Sequence, residues 1–232
     1  HKRVGLELGN NAPVVVEPDG DWAGAARKIS VAGYSFAGQS CISVQRVYVH
    51  SSIADGFVDE LVSAVKGLKV GDPMDDDTDV SALIDAGETE RVHTWIDDAV
   101  AEGATVAAGG QIEGTVLAPT VLTGVLPDME VCRNEVFGPV VGVATYDDFG
   151  EALRLANDSR YGLQAAVFTS DIGKALEAAR TLDYGGVMIN EVPTWRADQM
   201  PYGGLRDSGN TREGPAWAAR EMTEERLVVI QP

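Results

Sequence analysis

The chain has 232 residues, 44% hydrophobic and 23% charged, which is ample for one large core or two small ones. A formal net charge of −18 argues against any surface built to hold a nucleic-acid backbone. No apolar run approaches the roughly 18 residues that span a bilayer, no signal-peptide pattern opens the chain, and the two cysteines form no disulfide framework, so a reducing cytoplasm is expected.

The opening "HKRVGLELG" enters an apolar alternation at Val4, Leu6 and Leu8. A strand is expected over Val4–Leu8, and so abrupt a start suggests a fragment or a processed chain. Next come a strand over Ala12–Val16, a helix over Asp21–Ala32 and a strand over Arg46–His50. A helix over Ser52–Gly67 follows, with Ser51 or Ser52 as its N-cap. The polar run "VGDPMDDDTD" (Val70–Asp79) reads as an exposed loop rather than a domain break. Beyond it a helix is expected over Glu88–Glu102, with strands over Thr105–Ala108 and Val140–Thr145. Helices over Phe149–Asn157 and Ile172–Leu182 have Asp148 and Asp171 as caps, and between them lies a strand over Gln164–Thr169. Strand Gly186–Asn190, helix Glu213–Met222 and strand Arg226–Ile230 complete the order. Such alternation argues for a layered α/β domain with a largely parallel sheet. The apolar end "LVVIQP" seeks an edge to join, which makes it a candidate subunit contact.

Chemistry-bearing candidates are few. Cys41, in "SFAGQSCISVQR", is either a packed core thiol, the commoner state of a free cysteine, or a nucleophile approached through Gly38. Glu7 in "LELGN" is either a solvated edge residue or a general base at the carboxyl end of a strand, where open α/β sheets place ligands. Glu135 in "RNEVFGPVVGV" is either a polar turn residue or a carboxylate presented to ribose hydroxyls, with Phe137 against a flat ring. The irregular stretch Asn190–Pro215 is long enough to be functional. Its Trp195 and Tyr202 suit a substrate tunnel or a core, and Arg196 and Arg206 an anionic group or solvent. Neither His50 nor His93 stands in a catalytic pattern, and the His and Cys spacing matches no zinc site.

Taken together, "LELGN", "FAGQSC", "NEVFGP" and "MPYGGLRDSGNTREG" resemble, in order and spacing, the aldehyde dehydrogenase superfamily, over essentially the whole chain. Glu7 and Cys41 stand 34 residues apart, as the family's general base and nucleophile do. The resemblance implies a three-layer α/β/α fold with a mostly parallel sheet. It implies a catalytic domain over residues 1–222 and an oligomerisation strand over 223–232, giving a homodimer or homotetramer. Cys41 is then the nucleophile, Glu7 the base that activates water, and Glu135, Phe137 and Gly9 the residues facing NAD or NADP. Trp195, Arg196 and Tyr202 line the substrate tunnel, and Glu213 lies close behind them. No metal is implied. Family members are about twice as long, and their first half carries the NAD(P)-binding domain and an oxyanion-hole Asn. The chain is therefore expected to be a catalytic half, inactive alone.

Two positions depart from the pattern. Asn10 stands for the second glycine of E-L-G-G, and Thr211 for the glycine before Arg212. The Asn10 variant is expected to be tolerated. The implied reaction is attack of the Cys41 thiolate on an aldehyde, loss of hydride from the thiohemiacetal, and hydrolysis of the thioester by water that Glu7 deprotonates. A base at Glu7 favours release of a free acid over transfer to coenzyme A. Two rivals are a cysteine hydrolase or acyltransferase pairing Cys41 with His50, and a binding or scaffold module that keeps the fold without the chemistry.

Overall fold

The computed structural model describes residues 2–232. Nine strands and seven α-helices alternate: β1 (Ala12–Val16), α1 (Trp22–Ala32), β2 (Val44–His50), α2 (Ala54–Lys66), α3 (Ala86–Ala101), β3 (Thr105–Ala108), β4 (Ile112–Glu113), β5 (Val116–Leu117), β6 (Thr120–Thr123), α4 (Glu130–Arg133), β7 (Val140–Tyr146), α5 (Phe149–Asn157), β8 (Gln164–Phe168), α6 (Ile172–Thr181), β9 (Gly186–Ile189) and α7 (Pro215–Glu221). Seven strands form one sheet in the order β3-β6-β7-β2-β1-β8-β9, parallel except for the antiparallel β3–β6 pair. Strands β4 and β5 make a separate hairpin.

The central strands are apolar on both faces because helices cover both faces. Val14 and Val16 of β1 and Val47 and Val49 of β2 point to one side, against Ile29 of α1, Phe57 and Leu61 of α2, and Val92 and Ile96 of α3. Val15, Tyr48, Ala165 and Val167 point to the other, against Ala152, Leu153 and Ala156 of α5 and Ala178 of α6. This is the expected three-layer arrangement. Each fully buried Val, Leu, Ile or Phe contributes about 1.5–3 kcal/mol relative to exposure, so the two clusters hold the layers together. Asp21, Asp85, Asp148 and Asp171 cap α1, α3, α5 and α6, each accepting from a backbone N–H two or three residues on.

Four readings of the sequence change. Ser51 and Ser52 do not cap α2; they lie in a short 3-10 turn whose cap is His50, its ring accepting from the Ser52 N–H. Val4–Leu8 is not a strand. Among the described residues its only ladder contact is an isolated bridge from Glu7 to Gly209, and Val4, Leu6 and Leu8 stay exposed. Arg226–Ile230 is also not a strand: Leu227, Val228, Val229 and Ile230 are exposed without a neighbouring chain segment to pair with. In both cases the apolar alternation is genuine, but a strand exists only where a second edge meets it. Finally, β4, β5, β6 and α4 escape the sequence reading, because two- and four-residue elements carry too little periodicity to register.

Two polar residues hold the middle of the sheet. Arg46 of β2 is buried and pairs with no carboxylate among the described residues. Its guanidinium donates instead to the Asn11, Leu155, Ala156 and Asp158 carbonyls and to the Tyr48 and Tyr184 hydroxyls. A buried cation without such acceptors costs several kcal/mol, so Arg46 ties β1, β2 and the end of α5 into one geometry. Beside it, Gln45 accepts from the Val136 N–H at 2.7 Å, fastening the loop that carries Glu135.

Candidate active site

Because the central strands are parallel, their amino ends lie on one edge of the sheet. Gly9–Asn11 leads into β1, Cys41–Ser43 into β2, Glu135–Pro139 into β7 and Tyr161–Leu163 into β8. The site residues therefore gather at the amino edge, opposite the carboxyl edge that the strand reading of Glu7 implied. Glu7 belongs to a strap, not a strand end. Leu6 and Leu8 on either side of it are tied to the 206–211 turn, through Leu6 N to Asn210 Oδ1 at 2.8 Å and Leu8 N to the Ser208 carbonyl at 3.1 Å.

The turn before Cys41 carries backbone strain. Phe36 and Ala37 have φ of 54° and 56°, a left-handed conformation costing about 1–3 kcal/mol each. Gly38 follows at φ 71°, and a Cβ there would lie 2.1 Å from the Gly138 carbonyl. Only glycine permits that approach, so the Cys41 loop and the Glu135 loop press directly on each other. Cys41 is half-buried, against Ile42, Leu163 and Tyr202. Its Sγ lies 3.0 Å from the Tyr202 hydroxyl. Cys132 is the contrasting thiol: buried in the larger core, its pKa is pushed up to about 11 by desolvation.

Tyr202 is buried and is paired through its backbone with Glu213, the two residues exchanging N–H···O bonds. The Arg196 guanidinium stacks over the Tyr202 ring at 3.8 Å and donates to Glu213 Oε2 at 2.9 Å. The next residue, Gly203, touches Glu7: a Cβ on it would be 3.1 Å from Glu7 Oε1. The Tyr202–Gly203 pair thus has the thiol on one residue and the carboxylate on the next. Glu7 is raised above the usual carboxylate value, first by desolvation and then by the charge of Glu213, against the lowering pull of Arg212 and Arg196. A carboxylate so placed keeps more basicity than a free one.

Glu135 forms the second half of the site. Its Oε1 accepts from the Asn10 N–H at 2.9 Å, while a Cβ on Gly9 would collide with Oε2 at 2.3 Å. Burial raises its pKa, partly offset by that N–H and by Arg91. Phe137 projects beside it, partly exposed and at φ 48°. A partly buried carboxylate with one anchored oxygen, a bare glycine face and an open aromatic ring fit a ribose and a planar nicotinamide. Asn10 itself is buried and is not among the positive-φ residues, so a side chain costs no backbone strain there. Its Nδ2 donates to the Gln164 carbonyl at 3.4 Å. Thr211, the other departure, likewise avoids the left-handed region and hydrogen-bonds Glu221 on α7.

Some candidates lie elsewhere. His50 sits at the far end of β2 from Cys41, seven residues of strand at about 3.3 Å each. Its ring pairs with Ser52, so no Cys–His pair forms. His93 faces Asp97 on the exposed side of α3. Arg206 does not face the site: it donates to the carbonyls of Asn157, Ser159 and Asp183, clamping the loop after α5. Trp195 stands half-exposed at the rim. Sequence reading missed Arg212, which donates to the Gly204 and Thr211 carbonyls and stabilises the charge on Glu7, and Asn11, whose amide gathers the Val131, Cys132 and Asn134 carbonyls beneath the Glu135 loop. The one available signal was their polarity beside glycines and apolar strand residues.

A family model described as the aldehyde dehydrogenase family matches residues 1–228. The chain belongs to that family. It is 48% identical to a 3-sulfolactaldehyde dehydrogenase of Priestia aryabhattai and 40% identical to a lactaldehyde dehydrogenase of Methanococcus aeolicus, over 99% of its own length in each case. It covers 48% and 49% of those proteins, so it spans about half the length of these aldehyde dehydrogenases. Among solved structures, a glyceraldehyde-3-phosphate dehydrogenase from Methanocaldococcus jannaschii complexed with NADP superposes with a TM-score of 0.92 at 39% identity, over 95% of this chain and 48% of that one. An aldehyde dehydrogenase from Physcomitrella patens in complex with the reaction product succinate gives 0.91 at 40% identity, over 96% and 47%.

Proposed function

We propose that this chain is the catalytic half of a cytoplasmic NAD(P)-dependent aldehyde dehydrogenase that oxidises a short aldehyde to the free acid, with Cys41 as nucleophile and Glu7 as general base. The observation that carries the reading is the Tyr202–Gly203 pair, which has the Cys41 sulfur on its side chain and the Glu7 carboxylate against its glycine. Cys41 Sγ bonds the aldehyde carbon and the carbonyl electrons move to oxygen, where the Cys41 backbone N–H is a candidate donor. NAD(P)+, when bound, accepts the hydride that leaves the thiohemiacetal; Glu135, Gly9 and Phe137 are the residues that would hold it. Glu7 then takes a proton from water as that water adds to the thioester carbon, and Cys41 leaves as the thiolate.

By the family resemblance, a cofactor-binding half completes the enzyme, and residues 1–222 are inactive without it. Residues 223–232 serve as an oligomerisation strand that adds to a partner's sheet edge, forming a homodimer or homotetramer. The exposure of Leu227, Val228, Val229 and Ile230 supports that role. The test of the reading is an acid quench of the parent enzyme turning over a short aldehyde with NAD(P)+, followed by peptide mass spectrometry. The acyl group is expected on the Cys41 peptide; an acyl group elsewhere, or none, overturns it.

The substrate we infer is a short aldehyde with an anionic group at its far end. Arg196 supports this, since its guanidinium is partly exposed and lies one ring away from Cys41. The names of the relatives acting on sulfolactaldehyde and glyceraldehyde-3-phosphate point the same way. Arg196→Ala is expected to raise KM for sulfonated or phosphorylated aldehydes about tenfold or more beyond any change it causes for neutral aldehydes of equal length, the worth of a hydrogen bond to a charged group. Equal losses across a substrate panel would remove Arg196 from substrate recognition.

A further inference from the structure

A tunnel wall needs an aromatic ring at position 202, but it does not need a hydroxyl. That hydroxyl stands 3.0 Å from Cys41 Sγ, and no other side chain hydrogen-bonds the sulfur among the described residues. It is also fixed in place. Tyr202 N donates to the Glu213 carbonyl at 3.2 Å, Glu213 N donates back at 2.6 Å, and the ring packs with Ile42 and Leu163. With 3% exposure, the side chain has no route to swing its oxygen into water.

We propose that Tyr202 is a catalytic residue whose phenol O–H donates to the Cys41 thiolate, stabilising the ionised nucleophile and aiming it at the substrate. The inference rests on Cys41 being the nucleophile. Geometry alone leaves the direction of the bond open, and chemistry settles it. Burial, together with the neighbouring Cys41 and Glu7, holds the Tyr202 phenol protonated well above its ordinary value of 10.0. Once the thiol has ionised, the one proton left between the two atoms is on oxygen. Arg196 strengthens the donor: a guanidinium 3.8 Å above the ring draws electron density from the phenol and places positive charge one ring from the sulfur. Glu213 keeps Arg196 there.

The phenol keeps its proton throughout. As the sulfur bonds the carbonyl carbon and the π electrons pass to oxygen, the sulfur loses its charge and the O–H···S bond weakens. Among the described residues, the charged groups acting on the pair are Glu7 on the strap and Arg196 on the 190–215 segment, with Arg212 and Glu213 acting in turn on Glu7; the packed neighbours Ile42 and Leu163 are apolar. Among the described residues no imidazole faces the sulfur, His50 pairing with Ser52 and His93 with Asp97, so the arrangement activates the thiol by donation rather than by a base.

The test is the rate of Cys41 alkylation by iodoacetamide from pH 5 to 10 in the full chain, read site by site by peptide mass spectrometry. In Tyr202→Phe the neutral-pH rate is expected to fall about tenfold, as loss of a hydrogen bond to a charged group predicts. The alkaline plateau should be unchanged or slightly higher, because a thiolate freed from a donor is the better nucleophile. Arg196→Met, which keeps the hydroxyl, should give a smaller loss with the same plateau. Profiles for Tyr202→Phe that superimpose on the parent overturn the proposal, and so does a uniform slowing at every pH, which marks a structural role. Should the phenylalanine variant fail to fold, an Arg196→Met profile identical to the parent overturns it instead. An acyl group found away from Cys41 in turnover sinks the nucleophile reading itself; an acylated Cys41 with an unmoved alkylation profile sinks only the role of Tyr202.

Discussion

Glu7→Gln in the parent enzyme is expected to leave a burst of about one NADH per active site, followed by a steady state slowed 10²–10⁴-fold, the usual contribution of a general base. The variant keeps the shape of the side chain beside Gly203 and loses only the basic oxygen, so Cys41 can still be acylated while the thioester waits for an unactivated water. The same carboxylate sets a pH limb. Its pKa lies above the ordinary 4.5, because desolvation and Glu213 outweigh Arg212 and Arg196. As a base it works ionised, so deacylation should fall as pH drops through a value above the normal carboxylate range. Glu213→Gln removes the negative neighbour and should move that limb to lower pH. Stopped-flow absorbance at 340 nm reads both effects. A Glu7→Gln enzyme with unchanged steady-state turnover takes Glu7 out of the base role.

Cys41→Ser should abolish oxidation, by on the order of 10⁴-fold or more, since a hydroxyl in the same place is a far weaker nucleophile than a thiolate. Cys41 is only half-buried, so the exchange should change stability by about 0.5 kcal/mol or less. Cys132→Ala is the matching control. That thiol is buried in the larger core, away from Cys41, and desolvation outweighs the nearby Arg46 charge to give it a pKa of about 11. Its loss should lower the denaturation midpoint and leave kcat intact. Turnover by Cys41→Ser at the parental rate would return Cys41 to the role of a packing residue, as would inactivation of both variants in parallel with unfolding.

What local sequence determined is substantial, and the reasons are local. The apolar triplet Val14-Val15-Val16 and the run around Val47 and Val49 read as strands, and they form β1 and β2 at the middle of the sheet. Asp148 and Asp171 cap their helices because the interaction closes within three residues. Glu7, Cys41 and Glu135 stood out as candidates through the order and spacing of their motifs. Tertiary structure decided the rest, wherever the partner of a segment lies far along the chain. The alternation at Val4–Leu8 promised a strand and became a strap, because the segment it meets is a turn near Gly209. Arg46 opens a predicted strand and Arg206 suits an anionic group or solvent by sequence, but the carbonyls that accept from them lie 35 to 112 and 23 to 49 residues away along the chain. Cys41 was the most ambiguous of all. Its neighbours in sequence make it more often a core thiol than a nucleophile; the fold brings the Tyr202 hydroxyl and the Arg196 charge close to it, and ionisation of a thiol depends on what surrounds it in space.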